Sequence, residues 1–183
     1  MKLIKEIKLF CCVFSALLFS CSDSLNFDQA DTLVAEPEIE ASILYIEAPE
    51  RIINEAAGTD FFVQDFNFDA FSSDFFAERV VEGTVAYVIE NTTSKQLEVT
   101  VEFLDESGTT LDSEVFMIDP APAAPLEREI LYGGIGRNLD IVTNTSSIRV
   151  SAENVLGDTT STSNLPDPKV ILKSKGKFKL SVI

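Results

Sequence analysis

The side chains that come closest to a working constellation are Asp65, Asn67 and Asp69, in the run Asp65-Phe66-Asn67-Phe68-Asp69. Oxygen donors at alternate positions open the loops that wrap a hard cation such as calcium, because they can converge on one centre. The match then stops. Ala70 stands where such a loop turns on Gly, and its twelfth position is Phe76, where a bidentate Glu would close the shell. The same five residues fit a β-strand with Phe66 and Phe68 turned inward and the three polar residues outward. Asp65, Asn67 and Asp69 are therefore the candidate cation ligands, and the strand reading leaves no metal site. No cofactor is implied by any motif.

Elsewhere the chemistry is limited by what the chain lacks. His is absent from all 183 residues, which removes the commonest general base, the usual partner of a Ser nucleophile and the commonest transition-metal ligand. Of the three Cys, Cys11 and Cys12 lie in an apolar leader and Cys21 closes it. No Ser-His-Asp, Cys-His or zinc arrangement can be assembled, and no catalytic residue is expected. Among 30 Asp and Glu some close carboxylate pair is unavoidable, so a carboxylate-dependent hydrolase remains open as a reading.

Two patterns could serve binding. Seven of the 14 Phe fall between residues 61 and 76. That volume suits a core; alternatively, Phe71, Phe75 and Phe76 flank Ser72-Ser73-Asp74 as an exposed aromatic tip that docks a protein or a glycan. At the C-terminus Lys169, Lys173, Lys175, Lys177 and Lys179 share one parity and Val170, Leu172, Phe178, Leu180 and Val182 the other. This strand with a lysine face could pair with the acidic part of the same domain, meet lipid phosphates, or protect a sheet edge. Ser174-Lys175-Gly176-Lys177 could instead turn a short hairpin. Gly133-Gly134-Ile135-Gly136 lacks the third Gly of a dinucleotide fingerprint and reads as a loop.

The elements that position these residues begin with a leader. Lys2, Lys5 and Lys8 precede an apolar run of residues 9–19, ended by Ser20-Cys21. The run fits a secretory leader and is far short of the roughly 20 residues of a membrane-spanning helix. Leu18-Phe19-Ser20-Cys21 resembles the bacterial lipobox. The resemblance implies that residues 1–20 are a lipoprotein signal peptide and that Cys21 becomes an acylated, palmitate-type N-terminus. More than one acyl chain, at about 0.8 kcal/mol per buried methylene, makes such an anchor close to permanent. An ordinary secretory leader cleaved near Ser20 or Ser22 is the alternative. Ser22 in place of Asp implies sorting to the outer membrane. Cys21-Ser22-Asp23-Ser24 resembles the acidic start of Bacteroidota lipoproteins displayed at the cell surface.

Residues 21–37 are polar and acidic and read as a lipidated flexible tether, with a span of roughly 20–25 Å. Residues 38–183 hold the domain. Spacing of two predicts strands over residues 39–47, 61–68, 81–89, 97–103, 110–118, 126–132, 147–155 and 170–182. Asn91-Thr92-Thr93-Ser94 is expected to close a hairpin between the third and fourth. Asp105-Glu106-Ser107-Gly108 reads as a hairpin turn, and Pro120, Pro122 and Pro125 mark a crossing between sheets. Residues 138–144 read as a helical turn with Leu139 and Val142 inward, and residues 157–168 as a long polar loop. The expected fold is an all-β antiparallel sandwich of seven or eight strands. Its strand pattern resembles the immunoglobulin and fibronectin type III sandwich and that of late-embryogenesis-abundant proteins.

Charge completes the reading. The chain carries a formal net charge of −16, concentrated before residue 120, which argues against a nucleic-acid partner. These features lead to a lipid-anchored envelope protein, not an enzyme, on the periplasmic face of the outer membrane or at the cell surface. It would act as a binding or accessory module for an envelope protein, touching the membrane through its anchor. A calcium- or glycan-binding surface module is the alternative reading.

Overall fold

The computed structural model describes residues 35–56 and 60–182. The expected signal peptide 1–20, the expected acylation site Cys21 and most of the expected tether 21–37 lie outside the described residues. From Ala35 onward the chain forms one compact unit, built from strands that alternate buried and exposed side chains.

Eight strands, β1 (Glu38–Pro49), β2 (Asp60–Asn67), β3 (Val80–Asn91), β4 (Leu97–Leu104), β5 (Thr110–Ile118), β6 (Leu126–Tyr132), β7 (Ser147–Asn154) and β8 (Lys169–Leu180), make two sheets. The first has the order β1-β8-β3-β6 and the second β2-β7-β4-β5, and every pairing between these strands is antiparallel. The fold is thus an all-β sandwich, and the connectivity refines its kind. Apart from the β4–β5 hairpin, each successive strand changes sheet, and the first strand lies beside the last. This is the order of a jelly roll, whereas the immunoglobulin order keeps A, B, E and D in one sheet.

Connectivity corrects two expectations. β3 and β4 do not pair: β3 lies between β8 and β6, and β4 between β7 and β5. Their apolar rows are two inner faces of a sandwich, Val85, Tyr87 and Ile89 on one side and Val99, Val101 and Phe103 on the other, all buried. Period two orients a strand toward a core without naming the strand beside it. The lysine strand is likewise central: β8 runs unbroken between β1 and β3, so it neither guards an edge nor turns at Lys175-Gly176. The turn at Asp105 does close a hairpin, its carboxylate accepting from the backbone N–H groups of Ser107 and Thr109.

Short helices fill the connections: α1 (Glu50–Glu55), α2 (Asp69–Ser72), α3 (Asp74–Ala77) and α4 (Asp140–Thr143). In α4 Val142 is fully buried, and the preceding Leu139 packs against the core. Strand direction assigns each connection to an end. Ala35, α2, α3, the β4–β5 turn, residues 133–136 and α4 occupy one end, here called proximal. α1, residues 92–96, residues 119–125 and residues 155–168 occupy the other, distal end.

The proximal core is aromatic. Phe178 meets Phe71 and Phe76 edge-on at 5.1 and 5.0 Å, and Phe71 stacks on Phe76 at 5.2 Å. Its ring lies against two glycines: a Cβ on Gly83 would fall 2.3 Å from it and one on Gly176 2.4 Å. Only residues without a side chain leave room there. Replacing Phe178 by Ala is expected to lower unfolding free energy by about 3–5 kcal/mol in urea titration. Phe75→Ala, at a position 63 % exposed, should change it by less than about 1 kcal/mol.

Candidate binding surface at the distal loops

The distal end is organised by polar residues that the sandwich buries. Asn91, the last residue of β3, donates from Nδ2 to the carbonyl oxygens of Lys95 (2.8 Å) and Asp119 (3.0 Å). Its Oδ1 accepts from the backbone N–H and hydroxyl of Thr93. One buried amide thus folds residues 92–95 into the corner that carries the chain from one sheet to the other. Thr92 Oγ1 donates to the Lys169 carbonyl and accepts from the Lys169 N–H, fixing the start of β8 to the same corner.

Two buried charges extend this brace. Glu50, 2 % exposed at the head of α1, accepts from the N–H and hydroxyl of Ser94. The side chain of Lys95 is 1 % exposed; its Nζ donates to the Thr160 carbonyl at 2.7 Å and stands 3.3 Å from Asp158 Oδ2. Asn154 Nδ2 holds the Asp158 carbonyl, and Ser94 Oγ accepts from the Thr162 N–H. The Thr160 N–H, with Lys95 beside it, holds the Asp158 carboxyl below its ordinary range. Burying ions is costly unless hydrogen bonds compensate, and here the compensating partners include the backbone of residues 158–162. A long polar loop is thereby held in one shape.

A cleft of about 430 Å³ opens between that loop and the proline segment, lined by Thr93, Ser94, Pro120, Pro122, Thr162 and Leu165, among others. Leu156, Leu165 and Val155 stand 73, 50 and 40 % exposed around this end. Apolar side chains on a braced loop beside a cleft make a surface suited to binding; the prolines and the loop's polarity were legible in sequence, but their convergence was not.

The sequence-derived candidates fall elsewhere. Asp65 and Asn67 point outward from β2, and Asp65 is paired with Arg149 through two hydrogen bonds of 2.7 and 2.9 Å. Asp69 begins α2. No group of three or more His, Cys, Asp or Glu placed to hold a metal occurs among the described residues. Phe71 and Phe76 are buried, 4 and 6 % exposed, while Phe75 is solvent-facing and lies 4.9 Å beneath the Arg79 guanidinium. The aromatic cluster is therefore divided between the proximal core and the surface.

A second charged cluster lies between β5 and β6. Arg137 bridges Asp112 and Glu114, Arg128 meets Glu114 at 2.9 Å, and Tyr132 donates to Asp112 at 3.0 Å. Burial pushes the phenols of Tyr87 and Tyr132 well up. The guanidinium lies between the two carboxylates and ties two sheet edges together.

The fold defines a class, the eight-stranded jelly-roll sandwiches, and places the chain no more narrowly. No family model and no curated protein matches it in sequence. Among solved structures it is similar to a protein of Bacillus endospore appendages, which form disulfide-linked pili, with 10 % identity, TM-score 0.38, and 88 % of this chain and 97 % of that one covered. It is also similar to part of the VP2 protein of infectious bursal disease virus, at 10 % identity, TM-score 0.34, covering 88 % of this chain and 34 % of the other. An α-L-arabinofuranosidase shares 11 % identity at TM-score 0.37, over 82 % of this chain and 24 % of the enzyme.

If Lys95 holds the loop, Lys95→Ala is expected to cost about 1.5–3 kcal/mol and to speed proteolytic cleavage within residues 155–168. Unchanged cleavage would show that the loop keeps its shape without the lysine. A pH dependence follows from the exposed pairs. Hydrogen bonds from Lys175 and Lys169 lower the carboxyls of Glu40 and Glu47, and Arg149 lowers that of Asp65. Such carboxylates add stability above their unfolded-state values, and it is lost as pH falls through the folded ones; the raised Lys169 and Lys175 lose theirs only as pH rises through values above 10.5. The melting temperature is expected to be nearly flat from about pH 5 to pH 10 and to fall on either side.

Proposed function

We propose that this chain is a lipid-anchored envelope protein whose sandwich is a binding or accessory module, without catalysis, for another envelope protein. The observation that carries the reading is the distal cleft, braced by buried Lys95, Glu50 and Asn91. It lies at the end of the sandwich opposite Ala35, where the segment from Cys21 joins. Acylation at Cys21 would attach the chain to a membrane through the segment that precedes Ala35. The lipobox-like Leu18-Phe19-Ser20-Cys21 supports acylation at Cys21, and Ser22 in place of Asp supports outer-membrane sorting, on the periplasmic face or at the cell surface. Buried polar groups that serve only to shape an exposed loop fit a recognition role, since loops on rigid scaffolds are where binding residues concentrate.

The experiment has two parts in native cells. Palmitate labelling is expected to mark the wild-type protein and to be lost in Cys21→Ala; labelling that survives would remove the anchor. A photo-crosslinking residue at Leu165 is expected to capture one envelope protein stoichiometrically, while the same residue at exposed Val63 on β2 does not. Equal capture from both positions, or none from either, would count against the distal loops as the docking surface.

A further inference from the structure

The outer face of the first sheet holds a groove that the loop end does not explain. Its origin is a bulge in β1: pairing with β8 slips between Ser42 and Leu44, so Ser42 and Tyr45 point outward three residues apart instead of two. A bulge bends its strand and increases the local twist. Across the sheet, β8 presents Lys173 opposite Tyr45 and Lys175 opposite Ser42, and β3 presents Val88 and Ala86 beyond them. The two lysines part company. Lys173 reaches to Glu90 on β3 at 2.8 Å and Lys175 to Glu40 on β1 at 2.9 Å. Their divergence uncovers a groove of about 610 Å³, with Ala86, Val88 and Ser42 in its lining and Tyr45 at its side. That volume falls within the range of small-ligand sites.

The chemistry of the groove selects its occupant. Both lysines are already matched by carboxylates, and Glu129 on β6, opposite Ala86, adds a further negative charge beside Lys175, so the site offers no free cation to an anion, which would have to break a pair to enter. Hydrogen-bonding capacity remains: an ammonium has three donors and a carboxylate about four acceptor positions, and most stay open after one bond each. The tyrosine ring, 63 % exposed, and the apolar lining offer a flat, dewettable surface. A neutral ligand with C–H groups on one face and hydroxyls around its rim satisfies all three conditions, and a pyranose ring is such a ligand. We propose that this groove binds a neutral saccharide, with one sugar ring against Tyr45 over Ala86 and Val88 and its hydroxyls meeting Lys173, Lys175 and Glu40. The site is independent of the distal loops, and a sheet of paired strands holds it.

The chain supplies its own probe. It has no Trp and three Tyr, of which Tyr87 and Tyr132 are each 1 % exposed, so ligand-induced change in tyrosine emission reports on Tyr45. The full chain would be titrated with cellohexaose, laminarihexaose, maltohexaose and chitohexaose, and each titration repeated by calorimetry. One of the four is expected to change the emission saturably, with an affinity that is insensitive to salt because the ligand carries no charge. Tyr45→Ala should weaken binding about tenfold, Tyr45→Phe should retain it in calorimetry, and Leu165→Asp at the distal cleft should leave it unchanged. No saturable binding by any of the four, binding only to a charged polymer such as polygalacturonate, or loss of binding in Leu165→Asp but not in Tyr45→Ala would each overturn the proposal. None of these results bears on whether Leu165 contacts an envelope protein.

Discussion

Strand β8 connects the first sheet to the core on one side and balances its charge on the other, and both depend on a two-residue alternation. Inward, Phe178 closes the proximal core against Phe71 and Phe76, in space left by Gly83 and Gly176. Outward, Lys169, Lys175, Lys177 and Lys179 meet Glu47, Glu40, Glu38 and Glu36 on the β1 side, while Lys173 meets Glu90 on β3. In a chain of net charge −16, the lysines of β8 thus compensate the glutamates of β1 on one side and Glu90 of β3 on the other. Each exposed pair contributes little alone, but a slip of one residue would place lysines in the core and Phe178 in water. Register and charge thus enforce the same alignment.

The two ends of the sandwich solve different problems. The proximal end closes with apolar volume, in aromatic rings contributed by β8 and the two short helices before β3. The distal end closes with polar groups: Asn91, Glu50, Lys95 and Thr92 convert otherwise orphaned backbone N–H and carbonyl groups of the corner and the long loop into partners. Polar closure of this kind specifies shape more than it adds stability, because buried ions repay their desolvation only when the geometry is met. That difference is why the proximal end is an apolar core while the distal end is a braced polar surface.

Much of the architecture was legible because alternation is a local signal. The strands over residues 110–118 and 126–132 coincide with the observed elements, as does the helical turn with Leu139 and Val142 inward. The turn at Asp105 and the crossing at Pro120–Pro125 were visible for the same reason, since each rests on residues that constrain their own backbone. The hairpin expected around Asn91 failed because its turn residues were read without their long-range partner. The Asn91 side chain reaches Asp119, 28 residues away, and that contact directs the chain across the sandwich. The Phe cluster was ambiguous on similar grounds, as nothing local separates buried Phe71 and Phe76 from exposed Phe75.

The amino-acid sequence by itself determined most of the segments that are strands, which of their faces turn inward, and, with no His, that no His-based chemistry can be assembled. These follow from the period of the pattern and from composition, and neither needs a partner. Tertiary structure decided which strands pair, that β8 lies at the centre of its sheet, where Lys95 and Glu50 are buried, and that Tyr45 borders a groove. Those outcomes depend on side chains distant in sequence meeting across two sheets, and cross-sheet geometry leaves no periodic mark on either segment alone.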